Sequence, residues 1–256
     1  MLFPISDDNS DRHRTPYINY IFIIINVLVF VFLQGMGGND AFTYAFSTVP
    51  AEIITGQDIV TAERLVTVVE TGQQFRIPGL QPTPVNVYLT TITSMFMHGG
   101  WMHLIGNMLY LWIFGDNIES RLGHVRYILF YLLCGIIASL SHVIVTYFSP
   151  SNPFVPSLGA SGAISAVLGA YLLLYPGKRV NMLLLFRIVF SVPAWVALGF
   201  WIAMQVISGL GIFGGGNDGI AYAAHIGGFV AGMLLIKMFD KEKPAERRPI
   251  FSRYIK

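Results

Sequence analysis

The chain has 256 residues, of which 54% are hydrophobic and only 12% charged, roughly half the charged share of a soluble domain. With a mean hydropathy of +0.60 and one cysteine, Cys134, this composition excludes a disordered chain, a disulfide scaffold and an ordinary water-soluble globule. It leaves a polytopic membrane protein. The net charge of +2 does not indicate nucleic acid, because seven of the sixteen basic residues lie in residues 237–256, where a basic tail behind an apolar run reads as an anchor at a membrane surface.

A helix crossing a hydrocarbon layer of ~30 Å needs roughly 20 mostly apolar residues. After a polar N-terminal segment (1–16), runs of about that length occur at 17–34, 102–118, 125–148, 160–175, 192–210 and 220–239, and a basic tail follows at 240–256. The expected fold is therefore an all-α membrane protein, a six-transmembrane-helix bundle over residues 17–239. A long loop, about 35–101, joins the first two helices. Within it, 51–59 and 62–70 are expected as short amphipathic helices, and Pro78, Pro82 and Pro84 interrupt regular structure. Residues 180–190, apolar but holding Arg187, read as an interfacial lead-in to the fifth run.

Lys and Arg gather on the cytoplasmic side of membrane proteins. Fourteen of the sixteen lie in alternate segments, and only Arg64 and Arg76 fall on the other side. Both termini are thus expected in the cytoplasm, in a multi-pass protein of the cell membrane. Runs two, four and six then all start at the outer face.

Strongly polar side chains inside such runs are costly and mark candidate sites. His103 and Asn107 open the second run and, four residues apart, share one helix face. His142 lies in the third and is expected to be a hydrogen-bonded bundle histidine. Ser161 opens the fourth, within Gly159-Ala160-Ser161-Gly162, beside the unpaired N–H groups of a helix start. His225 lies early in the sixth, where Gly228 and Gly232 make a smooth stripe on its face that suits close packing on Gly162, Ala166 and Gly169. A common start at the outer face puts all of these except His142 at similar depth. Ser161 with His225 supplies a nucleophile and its base, and His103, Asn107 and the Ser161 N–H supply donors for an oxyanion. Asp218 is seven residues from His225, ~10 Å along a helix, too far for a direct bond. A Ser–His dyad is expected, its ring oriented by packing. The glycine-rich loop 209–219, with Ile212 and Phe213, is expected as a lid.

These residues resemble the rhomboid family of intramembrane serine proteases. The resemblance rests on the segment from His98 to Met108, on Gly115-Asp116-Asn117-Ile118-Glu119-Ser120-Arg121-Leu122-Gly123, on the Ser161 motif, and on Ala224-His225-Ile226-Gly227-Gly228. It implies that Ser161 is the nucleophile and His225 the general base, with His103 and Asn107 in the oxyanion hole. It also implies a water-accessible site in a six-helix bundle and membrane-anchored protein substrates, cut in or beside a transmembrane segment. Two positions depart from the pattern. Ser165 stands where some members place an aromatic residue against the catalytic ring, and Ala223 stands where many relatives carry Trp. No metal or cofactor is expected, and membrane lipids and protein substrates are the expected partners. A non-catalytic, client-binding relative and a transporter are the competing classes. The first usually lacks the serine or the histidine. The second needs a polar path through the midplane, and the chain shows none. His98 is expected to tether the loop through its ring, and Asp116, Glu119 and Arg121 to form a structural charge cluster.

Overall fold

The computed structural model describes residues 2–67, 74–211 and 221–240. Strand β1 (Leu2–Asp7) is followed by helix α1 (Tyr17–Leu28), which continues as a π-helical turn over Val29–Leu33. The loop then folds into α2 (Asp40–Phe46), whose first turn is capped by the Asn39 side chain, and α3 (Pro50–Thr55), which Gly56 ends in a left-handed conformation. Strands β2 (Arg64–Thr67) and β3 (Gln74–Ile77) pair antiparallel, and α4 (Thr90–Thr93) sits between two 3-10 turns. The long helices α5 (Trp101–Leu122) and α6 (His124–Phe148) are separated by Gly123 alone, at φ 78°. After them come α7 (Ser161–Leu174), strands β4 (Arg179–Leu184) and β5 (Ile188–Pro193), α8 (Ala194–Gly209) and α9 (Tyr222–Phe239).

A helix occupies each of the six apolar runs, but two expectations are corrected. The protein is not all-α. Residues 62–67, the described part of the second expected loop helix, hold no helix but β2, where the β-branched Val66 and Thr67 favour a strand. Residues 180–190, expected as an interfacial lead-in to the fifth run, are built as a hairpin, and β1 adds to it in the order β1-β4-β5. Among the described residues, two helices, α6 and α9, are by themselves long and apolar enough to cross a membrane. Length limits some of the others, since at 1.5 Å per residue α7 with 14 residues and α8 with 16 fall short of a ~30 Å layer, while α5, with 22, is long enough but carries His103, Asn107, Asp116, Asn117, Glu119 and Arg121.

Helix α7 is the axis of the core, with every residue from Gly162 to Tyr171 buried. It meets α9 backbone to backbone. A Cβ on Gly228 would collide with the Gly162 carbonyl, one on Gly232 with that of Ala166, and one on Gly169 with that of Phe229. The expected glycine stripe is therefore a contact surface, and it brings the starts of α7 and α9 together.

At the other end of the bundle the polar groups are knitted together. Glu119 accepts the Ile18 and Asn19 N–H groups at 2.9 and 2.7 Å, capping α1, and pairs with His124 at 2.5 Å. Arg121 forks onto Asp240 with two bonds of 2.9 Å, and Arg12 meets Asp116 at 2.7 Å. Lys178 donates to the Asp8 carbonyl and to Asn117. Asp7, on β1, accepts from the Tyr171 hydroxyl at 2.6 Å and from Asn117 at 2.8 Å. Burial, helped by the Asp116 charge, pushes the Asp7 carboxyl up to about 6. The expected structural cluster of Asp116, Glu119 and Arg121 is thus found, in three separate partnerships.

Candidate active site

The approach to α5 is fixed first. Gln34, fully buried, grips the backbone of His98: its amide donates to the His98 carbonyl at 3.0 Å and its oxygen accepts the His98 N–H at 2.9 Å. This corrects the expectation for His98. The main chain is the tether, and among the described residues neither ring nitrogen has a hydrogen-bond partner, the ring lying edge-on to His103 at 5.1 Å.

His103 lies in the first turn of α5. The Gly99 N–H donates to its Nδ1 at 3.3 Å, which leaves the hydrogen on Nε2. That edge of the ring faces Gly159, where an added Cβ would stand 2.8 Å from Nε2 and 3.6 Å from the Ser161 Oγ. Gly159 also sits at φ +127°, so both conformation and space require glycine. Asn107, one turn along, is buried, and its Nδ2 has no hydrogen-bond partner among the described residues. A buried amide donor without a partner is costly, and such an exception calls for a functional reason.

Ser161 is the first residue of α7, where the N–H groups of the opening turn lack intrahelical acceptors. His225, in the first turns of α9, meets it: Nε2 lies 2.8 Å from the Ser161 Oγ. Its Nδ1 lies 2.7 Å from the Oε1 of Gln205 on α8. With Gln205 Oε1 accepting, the hydrogen sits on Nδ1, and Nε2 offers its lone pair to the serine hydroxyl. The arrangement is therefore a relay of three residues from three helices.

Gln205 corrects the expectation that packing alone orients the ring. Packing contributes as well: the Trp201 ring lies 6.0 Å from the imidazole and Tyr222 lies edge-on at 6.5 Å. Trp201 supplies an aromatic neighbour that position 165 does not, and Ser165 instead donates to the Ser161 carbonyl at 2.6 Å. His142 is half-buried on α6 and, contrary to expectation, has no hydrogen bond among the described residues. A cavity of about 20 Å³ adjoins Ser161, with Ser94, Ser139 and Ser157 in its wall, which is room for a single water. The proposed lid, with Ile212, Phe213 and Asp218, lies outside the described residues, as does the tail from residue 241.

Residues 86–241 match the model of the Rhomboid domain, and this stretch contains every residue of the relay. The chain belongs to the rhomboid family. Among curated rhomboid relatives, it is 36% identical over 173 residues to the mitochondrial Rhomboid protein 1 of Saccharomyces cerevisiae, covering 66% of this chain and 47% of that one. It is 30% identical over 218 residues to the Rhomboid protease GluP of Bacillus subtilis, covering 84% of this chain and 36% of that one. It is also 32% identical over 177 residues to the mitochondrial Presenilin-associated rhomboid-like protein of Mus musculus, covering 63% and 44%. This rhomboid chain thus spans between about a third and a half of the length of the relatives it matches. As a rhomboid protein it is a membrane protein, and its helical fold carries the polar relay on α7, α8 and α9, with His103 and Asn107 of α5 beside it.

Proposed function

We propose that this chain is an intramembrane serine endopeptidase. The observation that carries the reading is the 2.8 Å contact between Ser161 and an imidazole whose other nitrogen is engaged by Gln205. Ser161 Oγ attacks the peptide carbonyl carbon while His225 Nε2 takes its proton, and the Gln205 oxygen holds the imidazolium that forms. The oxyanion falls to the Asn107 amide, the His103 Nε2–H and the Ser161 backbone N–H. When the tetrahedral intermediate collapses, His225 returns the proton to the departing amine. A water then repeats the attack on the acyl-enzyme, releases the acid and restores Ser161. The small polar cavity beside the serine suits such a water. No step needs a metal or a cofactor.

The substrates of this reading are membrane-anchored proteins, cut in or beside a transmembrane segment. The six helices together form a membrane-embedded bundle, both termini face the cytoplasm of a cell-membrane protein, and the relay opens near the outer face. The name of GluP, a rhomboid protease, supports the activity, and the distribution of basic residues supports the orientation. The test is labelling by a fluorophosphonate, together with cleavage of a transmembrane peptide. Wild-type protein reacts with both and Ser161→Ala with neither; labelling that survives the substitution overturns the assignment.

A further inference from the structure

The hairpin formed by β4 and β5 is chemically divided along its length. At its base, Val180 and Met182 are buried in the bundle core, and the pair Asn181 and Ser191 is polar. Toward the tip, both faces are apolar. Leu183 and Val189 pair on one face, with Phe3 of β1 beside Leu183, and Leu184 and Ile188 pair on the other, with Leu2 beside Leu184. The exposures rise accordingly, to 65% at Leu185, 68% at Phe186 and 59% at Val189.

The turn itself is unusual. Leu185 and Phe186 both adopt left-handed backbone conformations, at φ 50° and 57°, closed by the Arg187 N–H donating to the Leu184 carbonyl at 3.0 Å. Those two positions favour Asn and Gly, because a bulky side chain there is strained. Large apolar side chains on strained, exposed backbone gain nothing from the fold, apart from the Phe186 ring lying 5.3 Å from Phe3. Arg187, exposed beside them, has no ion-pair partner among the described residues.

The geometry points to an interaction surface: the tip of this hairpin is seated in the interfacial layer of an anionic lipid leaflet, with Arg187 on lipid phosphate. Continuity supports that occupant. The sheet runs directly into α8, whose opening turn exposes Trp195, a residue type that gathers at membrane interfaces, followed by exposed Phe200. The hairpin tip therefore extends the lipid-facing surface of a membrane helix. The unpaired edges of β1 and β5 keep it shallow, since open strand edges need water or headgroups and are not tolerated in the hydrocarbon layer. The apolar side chains enter the boundary while the polar base stays above it, as for interfacial helices.

The experiment uses the full chain in vesicles of phosphatidylcholine with phosphatidylglycerol. Cys134 is buried, so an environment-sensitive dye goes to an introduced thiol. Phe186→Cys should be quenched by lipid brominated near the headgroup end of its chains and shielded from iodide, and Ser191→Cys should show the reverse. Replacing Arg187 by Gln should lower occupancy of the shielded state roughly five-fold in anionic vesicles, as for one basic contact at such a surface. The double change L185N/F186G should leave the protein at least as heat-stable in detergent, because it relieves the turn, and should abolish shielding read at Ile188→Cys. Iodide access at residue 186 in vesicles overturns the proposal. So does shielding that rises with the protein-to-lipid ratio, which would make a second copy the occupant, or a loss of detergent stability in the double variant. None of these readouts needs catalysis, so their failure is distinct from failure of the protease reading.

Discussion

The two ends of α5 treat polar side chains in opposite ways. At its C-terminal end Asp116, Glu119 and Arg121 spend their hydrogen-bonding capacity on neighbours, in bonds of 2.5 to 2.9 Å that tie α5 to the N-terminal segment, α1, α6 and the end of α9. At its N-terminal end the Asn107 amide donor is buried with no acceptor among the described residues. The Ser161 hydroxyl there is engaged with the His225 imidazole rather than a backbone carbonyl. Polar groups in an apolar bundle are expensive in either case. What separates fastening from chemistry is whether the donors are consumed by the fold or left open for a charge that exists only during reaction.

The largest effect expected from breaking this contrast is at the open end. Ser161→Ala should lower peptide cleavage by at least about 10⁴-fold, with unchanged helical circular dichroism, because the remaining donors cannot replace a nucleophile. Asn107→Ala should lower kcat by roughly 10²- to 10³-fold, as for loss of one oxyanion donor, and should not lower thermal stability, since a buried unsatisfied group is removed. At the satisfied end the signs exchange. Glu119→Ala should cost about 3 kcal/mol in unfolding experiments by stranding the N–H groups that start α1, while fluorophosphonate labelling per folded molecule stays near wild type.

Gln205 lies between the two behaviours, because its bond is satisfied but falls on the imidazole proposed as the base. Gln205→Leu should lower kcat about 10- to 100-fold, the range for partners that orient a reacting imidazole. Gln205→Glu should restore turnover and move the acidic limb of the pH–rate profile to higher pH, since a carboxylate favours the imidazolium; an unmoved limb would make Gln205 merely a packing residue.

The smallest effect concerns β1. The Asp7 carboxyl titrates at about 6 when docked, against about 4 in the unfolded chain, so its contribution to stability is full below the lower value and lost as pH rises through 6. Asp7→Asn keeps an acceptor for Tyr171 and Asn117 and should remove that step. The expected gain is at most about 3 kcal/mol at pH 7.5, read from thermal unfolding at pH 5 and 7.5.

How legible all this was in the sequence follows from the range over which each signal acts. The six helices were legible because a run of apolar residues is a local property, and so were the glycines that press α9 onto α7. Ser161, His225, His103 and Asn107 stood out because each is a polar group in an apolar run. The hairpin was hidden, since a short apolar segment such as 180–190 has no period that separates strand from helix, and its partner β1 lies more than 170 residues away. Gln205 and Gln34 were hidden for another reason. Each is a neutral amide whose role depends on a contact across the bundle, 20 residues from His225 and 64 from His98, and no spacing rule connects them.

The backbone contact of Gly162 with Gly228 sets a tolerance. Ser161 and His225 belong to separate helices, each directly before or within one turn of that contact, so their spacing is gauged by two bare glycines rather than by any interlocking side chain. A single methyl placed at position 228 would act as a shim between Ser161 and His225, the proposed nucleophile and base. The membrane helices could bend aside to admit it and remain folded, yet the proton would have farther to travel. In this molecule the working distance of the chemistry is kept by the absence of atoms.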